Sequence, residues 1–260
     1  VYIGASRFGA RASAGNSVED IARLVEYAHT FRVKVYVTVN TILKDEELPE
    51  TERLVWALYR VGVDALIVQD MALLELDLPP IPLHASTQMD NRTPEKVKFL
   101  HGLGFSQVVL ARELSLAEIQ AVHEACDVPL EVFVHGALCV SYSGQCYVSQ
   151  HCFGRSANRG ECAQFCRLKF DMVDSDGRMI EQGRHLLSLK DMNRGEDLER
   201  LLDAGVTSLK IEGRLKDVAY VKNVTAWYRS RLDEIFKRRP EYRRASSGQV
   251  SLAFTPCLEK

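Results

Sequence analysis

Val33-Lys34-Val35-Tyr36-Val37-Thr38-Val39 is a run of β-branched and aromatic residues broken by one charge, and Ala65-Leu66-Ile67-Val68 repeats the theme further along. Near-continuous apolar runs of this kind mark parallel strands covered on both faces. Similar runs occur at 1–3, 82–85, 107–110, 130–134, 186–189 and 208–211, giving about eight predicted strands. Helix signals fill the gaps. Ser17 with Asp20 opens a helix whose Ile21, Leu24, Val25 and Ala28 share a face. Thr93-Pro94 places an N-cap before a proline at the first helical position. Ser115 with Glu118 forms a capping box ahead of Ile119, Val122 and Cys126.

Alternating βα units mean either a (β/α)8 barrel or a doubly wound open sheet. No Gly-rich dinucleotide turn follows the first strand, and Gly102-Leu103-Gly104 follows a helix as a C-cap does. The expected fold is therefore α/β, a TIM-type (β/α)8 barrel. The opening Val1-Tyr2-Ile3-Gly4 reads as a strand already under way without an initiator Met, so the barrel is expected to be N-terminally truncated.

The βα rhythm breaks once. Residues 1–135 read as the first part of the barrel and 136–184 as a Cys-rich insertion with a small β-hairpin. The hairpin pairs 170–173 with 178–180 around the turn Asp174-Ser175-Asp176-Gly177. Residues 185–240 read as the end of the barrel and a C-terminal helix carrying Val221, Val224, Tyr228 and Ile235, and 241–260 as a polar tail. In a barrel the active site lies at the C-terminal strand ends, where this insertion emerges.

With 46% hydrophobic and 26% charged residues, the composition is that of a water-soluble globular chain. A formal net charge of −2 gives no global basic footprint for nucleic acid. The cations Arg229, Arg231, Lys237, Arg238, Arg239, Arg243 and Arg244 read first as a solvated helix face and second as an RNA-facing patch. No apolar run is long enough to span a bilayer, and no secretory pattern is present, so no membrane partner is expected and the cytoplasm is the expected compartment. The oligomeric state is left open.

Five of the seven cysteines fall in CVSYSGQCYVSQHCFGRSANRGECAQFC, residues 139–166. Disulfides do not suit a cytosolic chain with so large a core. Core packing explains Cys126 on its apolar helix face, but not five thiols among Gly, Ser and Asn. The spacing Cys139-x6-Cys146-x15-Cys162-x3-Cys166 offers four thiolates. Structural zinc favours Cys-x2-Cys knuckles, absent here, whereas an iron–sulfur cluster tolerates wider spacing. Spacing alone leaves the two comparable, with a nucleophilic Cys139 activated by His135 as a third option.

The motifs Glu131-x-Phe133-x-His135-Gly136-Ala137-Leu138-Cys139, Ser143-Gly144-x-Cys146-x-x-Ser149 and Arg155-Ser156-x-Asn158-Arg159-Gly160-x-Cys162-x-x-x-Cys166-Arg167 resemble the signature of the U32 peptidase family, the collagenase-like peptidases. Supporting matches are Tyr2-Ile3-Gly4 with Arg11 and Asn16, Tyr36-Val37-Thr38-Val39-Asn40, His84-Ala85-Ser86-Thr87-Gln88, Ser188-Leu189-Lys190-Asp191 and Lys210-Ile211-Glu212-Gly213-Arg214. The resemblance covers nearly the whole chain. Members normally begin with one more βα unit, in line with the expected truncation.

The resemblance implies RNA chemistry before proteolysis. Members with this cysteine pattern resemble prephenate-dependent hydroxylases that make 5-hydroxycytidine in 23S rRNA or 5-hydroxyuridine in tRNA. It implies a [4Fe–4S] cluster on Cys139, Cys146, Cys162 and Cys166, the small dicarboxylate prephenate as co-substrate, and rRNA or tRNA as partner. Cys152 is then an extra thiol and Cys257 incidental. For a peptidase, no Gly-x-Ser-x-Gly elbow occurs, and His123-Glu124 is followed by Cys126-Asp127 where a zincin needs its second His. The alternatives are a U32 peptidase with a Cys139/His135 site, or an inactive scaffold fragment.

Carboxylates are held by Arg and Lys at strand ends, so Arg7, Arg11, Arg112, Lys190, Lys210 and Arg214 are candidates, with Glu212 beside them. His84 and His135 are candidates for moving protons. Taken singly, each is more often a structural ion pair or a satisfied polar group; as a set converging on one barrel face they carry more weight. The stretch Arg155–Gly160 reads either as a polar loop bonding nearby carbonyls or as a surface for an RNA backbone. Tyr142, Tyr147 and Phe153 are candidates either to stack bases or to shield a cluster from water.

Overall fold

The computed structural model describes residues 1–10, 15–213, 216–248 and 250–258, so Arg11 and Arg214 lie outside the described residues. The chain begins β1 (Tyr2–Ala5), β2 (Gly15–Asn16), α1 (Val18–Thr30), β3 (Tyr36–Val39), α2 (Leu48–Arg60), β4 (Ala65–Val68) and β5 (Leu83–Ala85). It continues through α3 (Pro94–Gly102), β6 (Gln107–Val109), α4 (Leu116–Ala125) and β7 (Leu130–Gly136). Next come a short helix α5 (Val148–Phe153) and a hairpin of β8 (Phe170–Val173) and β9 (Met179–Arg184). Last are β10 (Met192–Asn193), α6 (Leu198–Asp203), β11 (Val206–Ile211) and α7 (Val218–Arg238).

Local chemistry sets the helix starts. Ser17 Oγ accepts from Asp20 N at α1, Thr93 Oγ1 from Lys96 N at α3, and Ser115 and Glu118 close a reciprocal box at α4. The helices then bury Ile21 and Val25, Val55 and Leu58, Val97 and Leu100, and Ile119 and Val122 against one side of the sheet. Facing them on alternate strand positions are Val37, Val39, Leu66, Val68, Val108, Val132 and Val134.

The main sheet has nine strands in the order β2-β1-β3-β4-β5-β6-β7, with both β10 and β11 paired to β7. Only β10 is antiparallel; β11 joins β7 in parallel, with two register shifts. This is a mixed α/β fold on a parallel sheet. Its two ends, β1–β2 and β11, flank a cleft of about 680 Å³. Across that cleft Tyr2 Oη lies 3.5 Å from Ile211 O and 3.4 Å from Glu212 Oε1. Among the described residues these ends do not pair with one another. No described helix is long and apolar enough to cross a membrane.

The expected strand at 186–189 does not form. The edge of β7 that it would have joined is taken by Met192–Asn193 and by β11, and Leu186 and Leu187 form an exposed turn instead. The run at 33–39 enters the sheet only at Tyr36, because Val33 N closes the end of α1 on Ala28 O. The hairpin's second strand extends to Arg184.

Candidate functional site

The face of the sheet turned away from the helices is buried but polar. Thr38, Asn40, His84, Gln107, Glu131 and Lys210 lie on it, each at most 9% exposed. Two such charges are tolerated only as a bonded pair. Lys210 Nζ donates to Glu131 Oε1 at 2.6 Å, while Ser208 Oγ (2.6 Å) and Gln107 Nε2 (3.1 Å) donate to Oε2. Burial alone would raise the Glu131 carboxyl. The Lys210 charge and the Lys210 and Ser208 hydrogen bonds outweigh it and hold the group below the usual carboxylate range. Lys210 also sits 4.2 Å from the Tyr2 ring centroid.

His84 lies in the same layer, edge-on to Tyr36 at 4.6 Å, and its Nδ1 is buried without a hydrogen-bond partner. Burial, aided by the Lys210 charge and only partly offset by Glu131, pulls its pKa down to about 4. The imidazole is neutral at pH 7.

A cavity of about 160 Å³ opens at the C-terminal strand ends. One wall carries Thr38, Asn40, Ser86, Arg112, Phe133 and Lys210. Asn40 is fixed by Ala10 N (2.9 Å) and by its own bond to Ser86 Oγ (3.0 Å). The Arg112 guanidinium lies 3.7 Å from the Phe133 ring centroid and 3.6 Å from Glu212 Oε2. The opposite wall belongs to residues 139–166 and contains Cys139, Cys146, Cys162 and Cys166. Burial pushes the Cys139 thiol up; a backbone bond from Ser141 opposes this, while Cys146, Cys166 and Cys162 each add to the rise. Gln164 N donates to Cys162 Sγ at 3.4 Å. Among the described residues, no three His, Cys, Asp or Glu side chains are gathered to hold a single metal ion.

Polar clamps fix the cysteine-bearing wall to the strand-end loops. The Glu113 carboxylate accepts from both Ser143 N and Ser143 Oγ. Gly144 has φ +76°, and a Cβ there would meet Gln88 O at 2.0 Å, so only glycine permits the approach. Arg159 grips Glu47 with two bonds (2.7 and 2.9 Å) and donates to Ile42 O at 2.7 Å, and the Arg159 bond holds Glu47 down at about 2. Arg167 donates to Leu138 O at 2.6 Å, steadying the residue before Cys139.

Of the residues singled out in the sequence, the four cysteines, Arg112 and Lys210 meet at this cavity, and His84 and Glu212 are buried beside them. His135 and Lys190 do not line it. The His135 ring packs on Tyr220 and Tyr228, its Nδ1 lies 3.3 Å from Tyr228 Oη, and burial lowers its pKa. Lys190 is exposed, in the irregular stretch where the expected strand is absent. Arg7 pairs with Glu50 at a separate surface pocket. Cys152 and Cys257 are exposed, and Cys126 is buried at the end of α4; none of the three lines the cavity. Glu131, Glu113 and Glu47 were not among the expected site residues. A lone charge inside the 130–134 run was the visible signal for the first; the loop carboxylates carry none.

The model of peptidase family U32 matches residues 1–256. The chain is 57% identical over 260 residues to the 23S rRNA 5-hydroxycytidine C2501 synthase of Escherichia coli (strain K12), covering 100% of this chain and 40% of that protein. It is 37% identical over 243 residues to tRNA hydroxylation protein P1 of Bacillus subtilis (strain 168), covering 90% and 58%. It is 32% identical over 249 residues to a collagenase of Porphyromonas gingivalis (strain ATCC BAA-308 / W83), covering 90% and 60%. The chain thus spans less than two thirds of the length of each of these relatives. With a family match running almost end to end, the chain belongs to peptidase family U32.

Proposed function

We propose that this chain is the hydroxylating part of an RNA-modifying enzyme that replaces C5–H of a pyrimidine with C5–OH, on rRNA ahead of tRNA. The observation that carries it is the meeting of four thiols with Arg112 and Lys210 at one cavity, in a chain 57% identical to a protein named for rRNA 5-hydroxycytidine synthesis. Cys139, Cys146, Cys162 and Cys166 would hold a [4Fe–4S] cluster. All four line the same cavity, and a cluster that takes one thiolate per iron tolerates their wide sequence spacing, whereas structural zinc favours Cys-x2-Cys knuckles. When bound, such a cluster supplies one-electron redox chemistry.

Arg112 and Lys210 would hold the carboxylates of prephenate, with Glu212 and Glu131 keeping each cation in place until the anion arrives. His84, neutral at pH 7, leaves the local positive charge to Lys210. The fold is taken to be a TIM-type (β/α)8 barrel whose ring is open at the β1–β11 cleft. The cytoplasm, where rRNA and tRNA are made and matured in a bacterium, is the proposed compartment.

The test is anaerobic purification with iron and acid-labile sulfide analysis, together with nucleoside analysis of RNA incubated with enzyme and prephenate. About four irons per chain are expected, lost in Cys146→Ala and kept in Cys152→Ala. Absence of iron in both anaerobic and reconstituted preparations would overturn the cluster. Cleavage of gelatin by metal-free protein would favour the peptidase instead, although His135 is turned to Tyr228 and not to Cys139.

A further inference from the structure

Three exposed aromatic rings punctuate the cysteine-bearing segment: Tyr142 (57% exposed), Tyr147 (60%) and Phe153 (48%). They are not equivalent. Tyr147 and Phe153 do not line the thiol cavity, and Phe153 leans toward Phe165 at 6.3 Å. Tyr142 both lines the cavity and stands more than half in water, which puts its ring at the mouth. The Arg92 guanidinium lies 4.2 Å from its ring centroid and is itself fixed by Asp90, with Arg92 Nε 2.6 Å from Oδ1. The next two residues tie the segment down, Ser143 by its bonds to Glu113 and Gly144 by its close approach to Gln88. The ring is therefore held by Arg92 and along its backbone.

A ring this exposed contributes little to packing and screens little of the cavity from water. Its form is that of a stacking surface. Unpaired RNA bases are read by stacking on aromatic rings, and an arginine next to such a ring adds a cation close to the polyanionic backbone. We infer that Tyr142, braced by Arg92, is the platform on which an unpaired pyrimidine of RNA stacks at the entrance to the thiol cavity. This rests on the RNA-hydroxylase function proposed above, and it adds where the base is received and by what force.

The test uses the cluster-loaded protein and a short fluorescein-labelled oligocytidylate read by anisotropy. A second probe carries 5-bromouridine for photo-crosslinking and peptide mapping. Tyr142→Ala is expected to weaken binding about tenfold while Tyr142→Phe stays within about twofold of wild type. Iron per chain should be unchanged in both variants, and the cross-link should map to Tyr142. Binding by Tyr142→Ala equal to wild type, or a cross-link elsewhere on the chain, would overturn the platform and leave the RNA function standing. Iron lost in Tyr142→Ala with RNA affinity retained would assign the ring to cluster shielding and likewise overturn it. If wild-type protein binds neither RNA probe, the RNA function itself fails, and the platform with it.

Discussion

At the scale of single residues, the inner face of the sheet is governed by one buried ion pair. Lys210 and Glu131 have side chains 7% and 6% exposed, so removing either partner strands a charge. Lys210→Met is expected to lower stability by about 3–5 kcal/mol in urea unfolding. The double variant Lys210→Met/Glu131→Gln should recover much of that loss. His84 gives a pH signature. Its folded pKa of about 4 lies below the ordinary 6.5, so between those values the unfolded chain binds the extra proton. Its contribution is complete above pH 6.5 and falls away as pH drops toward 4, by about 3 kcal/mol in all. Melting temperatures between pH 7 and 4.5 should show this slope, and His84→Gln should flatten it. Both halves of the ion pair were visible in the sequence, but not that they pair. Glu131 stands out as a charge within an apolar strand, but its partner lies 79 positions away. The triplets Ser188-Leu189-Lys190 and Ser208-Leu209-Lys210 are identical locally, yet one lysine is exposed in an irregular stretch and the other buried on a strand. Only the neighbours of β7 distinguish them.

At the scale of elements, caps and periodicity made α1, α3, α4 and most strands legible, because those signals act within a few residues. The missing strand at 186–189 and the pairing of the two-residue β10 depended on competition for the edge of β7, which no local pattern encodes. The cysteine-bearing segment was legible as a chemical unit but not as an attached one. Its clamps join Ser143 to Glu113, Gly144 to Gln88, and Arg159 to Glu47, all across long sequence gaps. Gly144→Ala tests the close approach to Gln88. A methyl group cannot sit 2.0 Å from Gln88 O, so the segment and the Gln88 loop must move apart. With the proposed cluster loaded, Gly144→Ala is expected to lose iron faster than wild type on exposure to air, while its helical circular dichroism and main melting transition stay close to wild type. A lowered main transition would mean that the segment supports the sheet as well.

At the scale of the whole molecule, stability is distributed unevenly. The helix-covered side of the sheet holds the buried aliphatic residues, whereas the β8–β9 hairpin leaves Met172, Val173, Met179 and Ile180 each more than 40% exposed. An isolated two-stranded hairpin is marginal in water. Hydrogen exchange is therefore expected to be fastest in β8–β9, intermediate through 139–166, and slowest in β3, β4 and β7, where opening demands disruption of the common core. Equal protection across all three regions would contradict this division.

The wall that carries the thiols is fastened to the rest of the molecule by carboxylate, backbone and arginine contacts, none of which involves a thiol as the fastening group. If those thiols receive the cluster proposed above, each can be exchanged singly with every fastening left in place, and any loss of iron then reads as the loss of a ligand and not as detachment of the wall.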